Sequence, residues 1–175
     1  MKLLWICTLI VLPHVLLAQI AEEEALLQQL SHPSLPSLHN AIMIQQEGMN
    51  HQATVQQIDA EHSQVRVQQT GEEHQLQAVQ QGRNNQWNIR QEGEQHQYTG
   101  SLAGDDNQVQ VQQSGQNNTI QQDLIGSGMN YSVSQEGQQL ELIQIESNPL
   151  APAYEVQQRG EGMTVIIEQG FPIND

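Results

Sequence analysis

Glycine recurs at every eleventh position along most of this chain, and that spacing restricts the fold more than any other property of the sequence. Gly71, Gly82, Gly93, Gly104, Gly115, Gly126 and Gly137 follow one another without a break. Gly48 and Asp59 extend the series upstream, with one extra residue between Asp59 and Gly71. Gly160 extends it downstream, two units plus one residue after Gly137; the missing turn falls near Ser147-Asn148-Pro149. A short fixed period of this kind belongs to a chain of stacked identical units, each too small to bury a face alone.

Other positions keep step with the glycines. Two residues before them stands Gln, at Gln46, Gln57, Gln69, Gln80, Gln91, Gln113, Gln135 and Gln158, with Leu102 and Leu124 as exceptions. Three residues after them stands His or Asn, at His51, His62, His74, Asn85, His96, Asn107 and Asn118. Five and seven residues after, the side chains are mostly apolar, as in Trp87 and Ile89 or Val109 and Val111, and the positions between them are polar. Apolar–polar alternation predicts a strand with one buried face. Each unit then holds a strand of about six residues and a turn of about five. The turn opens on Gly48, Gly71, Gly82, Gly93, Gly104, Gly115, Gly137 and Gly160, because glycine takes positive φ without steric penalty. Asp59 is a tolerable substitute, since Asp visits the left-handed region more readily than most residues.

Two units make one rung, and each strand pairs in parallel with the strand about 22 residues on, about 4.8 Å away. The predicted fold is an all-β, two-sided parallel β-solenoid over residues 42–170, with five to six rungs. Inward amides would each cost about 1–3 kcal/mol if left unpaired. A vertical column of Gln satisfies them rung to rung. The extra residue after Asp59 is expected as a bulge or wider turn near Ser63-Gln64. Leu102, Leu124 and Gly100 break the columns, and the units that carry them are expected to be less stable than those from Gly71 to Gly93.

Residues 1–18 read as a signal peptide, with Lys2 before an apolar Leu3–Leu12 and a small residue, Ala18, at the cleavage point. The apolar run is too short for a membrane span. The expected location is therefore secreted, with no membrane span after cleavage. The sole cysteine, Cys7, lies inside that segment, so neither disulfides nor a Cys-based metal site is expected beyond it. Residues 19–41 read as a leader or linker, with Pro33 and Pro36, and 171–175 as a short tail. The net charge of -15 argues against nucleic acid as a partner, because phosphate binding needs Lys and Arg. Glutamine is about a fifth of the chain and aromatics are 3%, a composition that alone would suggest disorder. The phased glycines argue otherwise.

These columns resemble the curlin repeat, Gln-x-Gly-x-x-Asn-x-Ala-x-x-x-Gln. Gln80-Gln81-Gly82-Arg83-Asn84-Asn85-Gln86-Trp87-Asn88-Ile89-Arg90-Gln91 is a good copy, and Gln113-Ser114-Gly115-Gln116-Asn117-Asn118 and Gln46-Glu47-Gly48-Met49-Asn50-His51-Gln52-Ala53 also match. The resemblance implies a subunit of extracellular curli amyloid fibres serving adhesion and biofilm, present either as the major subunit or as a surface-bound nucleator. Its implied partners are further copies of itself, other curlin-type subunits and an outer-membrane secretion pore. Residues 19–41 would then be a pore-recognition segment. Where the better-known curlins alternate Ser and Asn three residues after Gly, this chain carries His or Asn in both half-units.

No constellation for catalysis, no phosphate loop and no closed metal site is visible, so neither enzymatic activity nor a cofactor is expected. His51, His74 and His96 should stack on one edge, one rung apart, with His62 on the other. They read as donor–acceptors that replace Asn; a vertical row suits no closed tetrahedral metal shell. Acid would nonetheless charge the row and loosen that edge. The acidic turns, among them Glu72, Glu73, Asp105 and Asp106, read as a solvated face that also discourages edge pairing. Val165, Ile166 and Ile167 in the last strand, together with Ile42 and Ile44 in the first, are the expected assembly edges. Head-to-tail contact between them does not close and yields a filament. The alternative is a soluble solenoid acting as an adhesin or binding module.

Overall fold

The computed structural model of the chain describes residues 40–147 and 153–170. The expected signal segment, nearly all of the leader, Asn148-Pro149 and the tail lie outside the described residues. Twelve strands follow one another: β1 Asn40–Met49, β2 Gln52–Glu61, β3 Ser63–Glu72, β4 Gln75–Arg83, β5 Gln86–Glu94, β6 Gln97–Ala103, β7 Gln108–Gln116, β8 Thr119–Ile125, β9 Asn130–Gln138, β10 Glu141–Glu146, β11 Tyr154–Glu161 and β12 Thr164–Gln169. Odd strands form one six-stranded sheet and even strands the other, each in chain order and parallel throughout. Consecutive strands alternate between sheets, so each odd–even pair is one rung and the stack is a β-solenoid of six rungs.

The pairing register is the predicted one. Gln64 pairs with Gln86 and Gln86 with Gln108, a spacing of two repeat units at each step. The spacing is one residue longer for β1–β3 and β2–β4, as in Ile42↔Val65 and Ala53↔Leu76. It is longer by one again for β9–β11 and β10–β12, as in Tyr131↔Tyr154 and Leu142↔Val165. One extra residue therefore lies near the end of β2, and a second between β10 and β11. The first is not at Ser63-Gln64 as expected. Ile58 pairs with Gln81 and Glu61 with Arg83, so Asp59-Ala60 stands opposite the single residue Gly82.

The physical reason lies in the corner glycines. Gly48, Gly71, Gly82, Gly93, Gly104, Gly115, Gly137 and Gly160 have φ between 105° and 144°. Only glycine reaches that region comfortably. Asp59 sits instead at φ 48°, in the ordinary left-handed well. It cannot copy the glycine corner in one residue, and the bulge supplies the second. The odd strands and β4 are also longer than predicted and run through the glycine, so β3 has 10 residues and β5 has 9, whereas β10 and β12 keep the predicted 6. Only two residues, Glu73-His74, separate β3 from β4. Two positions after the glycine stands a left-handed residue, at Asn50, Glu73, Asn84, Gln95, Asp106, Asn117 and Gln139. A kink at glycine followed by one left-handed residue turns the chain from one sheet to the other.

The core is the space between the sheets, filled by columns one side chain wide. Val65, Trp87, Val109 and Tyr131 form one, Val67, Ile89, Val111 and Val133 the next, and Leu76, Tyr98, Ile120 and Leu142 face them from the even sheet. Gly100 does not leave the expected gap. A Cβ there would lie 2.4 Å from Tyr98 Oη and 2.6 Å from Trp87 Cζ2. Its missing side chain is the room occupied by that edge-to-face aromatic pair, whose ring centroids are 6.0 Å apart.

Candidate functional site

The glutamines two residues before each glycine form a continuous ladder in the odd sheet. Gln46 Nε2 donates to Gln69 Oε1 at 2.6 Å, Gln69 to Gln91 at 2.7 Å, Gln91 to Gln113 at 2.9 Å, Gln113 to Gln135 at 3.0 Å and Gln135 to Gln158 at 2.8 Å. Every donor points the same way along the stack, so the ladder is polar. Gln158 ends it by donating to the carbonyls of Glu141 and Met163.

In the even sheet the ladder changes track. Gln57 donates to Gln80 at 2.9 Å, but the next residue in that column is Leu102, and Gln80 Nε2 is buried without a partner. Leu102 and Leu124 are fully buried there and pack in the core. The amides reappear one inward position earlier, at Gln122 and Gln144. Tyr98 Oη donates to Gln122 Oε1 at 2.7 Å, Gln122 donates to Gln144 at 2.8 Å, and Gln144 donates to Tyr154 Oη at 2.7 Å. Sequence phasing missed these two glutamines because it took that column as apolar.

At the corners, the asparagines three residues after glycine are buried and bind two layers of backbone. Asn118 Nδ2 donates to Ser114 O and Gly137 O, and its Oδ1 accepts from the Leu140 N–H at 3.0 Å. Asn85 and Asn107 act in the same way on the opposite corner: Asn85 Oδ1 accepts from the Asn107 N–H at 3.0 Å, and Asn107 Oδ1 accepts from the Met129 N–H at 2.9 Å. His62 is not in this column. The Asp59-Ala60 bulge shifts the phase by one, so His62 takes the left-handed turn position at φ 53° and is exposed. Ser63 fills the column instead, accepting from the Asn85 N–H at 3.2 Å and donating its own N–H to Asn40 Oδ1. Among the described residues, pairing thus already includes Asn40, two residues before the expected Ile42.

His51, His74 and His96 stack as predicted. Ring centroids are 4.9 and 5.1 Å apart and the planes are within 7° and 4° of parallel. His74 and His96 are wholly buried. Burial is the main cause that lowers the pKa of both; the bond to the Thr70 or Glu92 carbonyl opposes it, and the preceding histidine lowers it further. The acidic turns do more than face solvent. Asp105 accepts from both the Arg83 N–H at 2.8 Å and its Nη2 at 3.0 Å, and the first of these bonds is the main cause holding the Asp105 carboxyl below its ordinary pKa.

The two ends of the stack carry the other candidate feature. β1 and β2 form one end rung, β11 and β12 the other, and among the described residues each lacks a neighbour on its outer side. Ile42 and Ile44 point along the core columns but remain 45% and 42% exposed because no described rung covers them. At the far end Val165 and Ile167 pack partly against the core. Ile166 does not belong with them. It pairs with Ile143 on the outer face and is 61% exposed, so it adds apolar surface to the flank rather than to the end.

Comparison with known protein families, curated proteins and solved structures gives no significant match. The functional reading therefore rests on the geometry of this chain and on its repeat pattern.

Proposed function

We propose that this protein is a non-enzymatic structural subunit of secreted, curli-like amyloid fibres, and that it polymerises by stacking end rung on end rung. One observation carries the reading: the two open ends repeat the same column order in the same register. Tyr154, Val156, Gln158 and Gly160 of β11 occupy the columns that Ile42, Ile44, Gln46 and Gly48 of β1 begin. Val165, Ile167 and Gln169 of β12 likewise match Ala53, Val55 and Gln57 of β2. A second molecule placed head-to-tail continues apolar on apolar, amide on amide and glycine on glycine. The one-way ladder favours that polarity over head-to-head contact. A head-to-tail contact does not close on itself, so the product is a filament. Parallel edges that lack a partner among the described residues are of the kind natural sheets ordinarily blunt or cover. The resemblance to curlin repeats adds the expected setting, a cell-surface fibre exported through an outer-membrane pore.

The test is seeded growth. Purified protein should lengthen preformed fibres and raise thioflavin fluorescence, and an Ile42→Asp/Ile44→Asp variant, which puts charge into the end-rung columns, should extend wild-type seeds far more slowly. Protein that stays monomeric at high concentration with seeds present would favour a soluble solenoid adhesin instead.

A further inference from the structure

Each histidine in the corner column uses both ring nitrogens, and the two bonds fix its protonation state. Nε2 faces the carbonyl four residues earlier, at 3.0 Å for His51 with Glu47, 3.0 Å for His74 with Thr70 and 2.8 Å for His96 with Glu92. A carbonyl only accepts, so Nε2 carries the proton. Nδ1 accepts the backbone N–H of the next rung: His74 N–H to His51 at 3.4 Å, His96 N–H to His74 at 3.2 Å and Asn118 N–H to His96 at 3.3 Å. An N–H only donates, so Nδ1 must be bare. The column therefore requires three neutral imidazoles of one tautomer. A second proton has one place to go, Nδ1, where it meets a backbone donor head-on.

Among the described residues, no carboxylate is bonded to the rings to offset that proton. The odd strands bring Glu47, Glu72, Glu92 and Glu94 to this corner, and Glu73 stands in the turn. The rings bond the main-chain carbonyls of Glu47 and Glu92, not their carboxylates. Three of the carboxylates are engaged outside: Glu73 accepts from Gln95, Glu94 from Gln116, and Glu92 pairs with Arg90. The even strands begin here with Gln52, Gln75 and Gln97, and their charged residues, Asp59, Glu61 and Arg83, lie at the opposite ends of β2 and β4. Beyond burial, the preceding histidine also lowers the pKa of each buried ring, because two protonated neighbours would repel.

We propose that His51, His74 and His96 form an acid-sensitive latch that holds one corner of the first three rungs closed at neutral pH and releases it on protonation. The latch depends on the solenoid geometry alone, and it holds whether or not the protein forms fibres. The folded-state pKa values of His74 and His96 are displaced downward from 6.5. Between those values and 6.5 the unfolded chain binds more protons than the folded one. The stability these rings contribute is complete above 6.5 and is lost as the pH falls from there toward the lowered values.

The experiment compares the protein with a His51→Asn/His74→Asn/His96→Asn variant. Asn fills the same column at Asn118 with the same two-layer bonding and no titration. Amide hydrogen exchange, corrected for intrinsic rates, is read at pH 7.5 and pH 5.0. In wild type the protection of the His96 and Asn118 amides should fall at pH 5.0, about tenfold per buried histidine for each unit of pKa depression. The Asn107 and Met129 amides, which bond Asn side chains on the other corner, should keep theirs. The triple variant should show no selective loss. Equal behaviour of both corners in wild type would overturn the proposal, as would a wild-type loss that the variant reproduces. Histidine ring nitrogen spectra give a second readout that needs no variant: Nε2-protonated rings at pH 7.5 support the latch, and Nδ1-protonated rings refute it.

Discussion

Replacing Gly93 by Ala should be among the most destabilising single-methyl changes this chain can suffer. Gly93 has φ 119°, outside the left-handed well that other residues can use. Holding an alanine there costs about 1–3 kcal/mol from backbone strain. Independently, its Cβ would lie 2.0 Å from the Gly115 carbonyl oxygen and 3.0 Å from the Gly115 carbonyl carbon on the next rung. The obstacle is main chain, so no rotamer change relieves it. The rungs must part there, and losing one or two interstrand hydrogen bonds costs roughly another 1–3 kcal/mol. The sum is about 2–6 kcal/mol, at or beyond the upper end of ordinary single substitutions. Gly128 is the control, because it has φ 70° and a Cβ there meets nothing within 4 Å. Gly128→Ala should cost only about 1–2 kcal/mol, the left-handed penalty alone. Chemical denaturation with a shared m-value reads both. Equal losses for the two variants would refute the claim that the corner glycines are needed for rung-to-rung contact.

Three further outcomes follow from the columns. Gly100→Ala should destabilise by about 1–3 kcal/mol through overpacking, and a Trp87→Val background, which restores the valine of neighbouring rungs, should remove most of that cost in a double-mutant cycle. Gln91→Leu strands the Gln69 donor and the Gln113 acceptor, so it should cost more than Gln80→Leu, whose own Nε2 already lacks a partner; denaturant midpoints decide the order. All three tyrosines are held neutral chiefly by burial, Tyr98 and Tyr131 pushed well up and Tyr154 pushed up to about 12. Their folded pKa values are raised, so the associated stability is complete below pH 10 and is lost as pH rises toward the folded values. Absorbance at 295 nm should show no phenolate at pH 10.5 in folded protein, and a full phenolate signal there without unfolding would contradict the buried placement.

Much of this architecture was legible in the sequence because a solenoid repeats its own errors and successes. The glycine spacing set the rung, alternation set the inward face, and identical amides one rung apart announced the odd-sheet ladder. The stacked histidines followed from the same phase. What the pattern concealed was local. Asp59 looked like a stand-in for glycine, yet its φ of 48° differs from the corner value and forces a second residue, which moves His62 out of the buried column and Ser63 into it. Counting residues after Asp59 could not reveal this without the backbone angles. The second reason for each corner glycine except Gly160, the carbonyl of the rung beside it, is a contact between strands two units apart and leaves no trace within one unit. Gln122 and Gln144 were hidden because the even-sheet amides had moved to a column read as apolar. Asn50, Asn84, Asp106 and Asn117, two residues after glycine, were a visible signal for the short turn, since Asn and Asp enter the left-handed region most easily.

The central claim is that strands two units apart lie directly on one another. Spin labels at Arg90 and Gln112, register partners on adjacent odd strands, test it against labels at Arg90 and Ser101, nearer in sequence by a whole unit but on opposite sheets. In magnetically dilute samples the first pair should show strong dipolar broadening, as expected for backbones about 4.8 Å apart. The second pair should show far weaker coupling. Strong coupling between neighbouring units with weak coupling between alternate ones would mean a chain of hairpins, and would contradict the solenoid together with the fibre built from it.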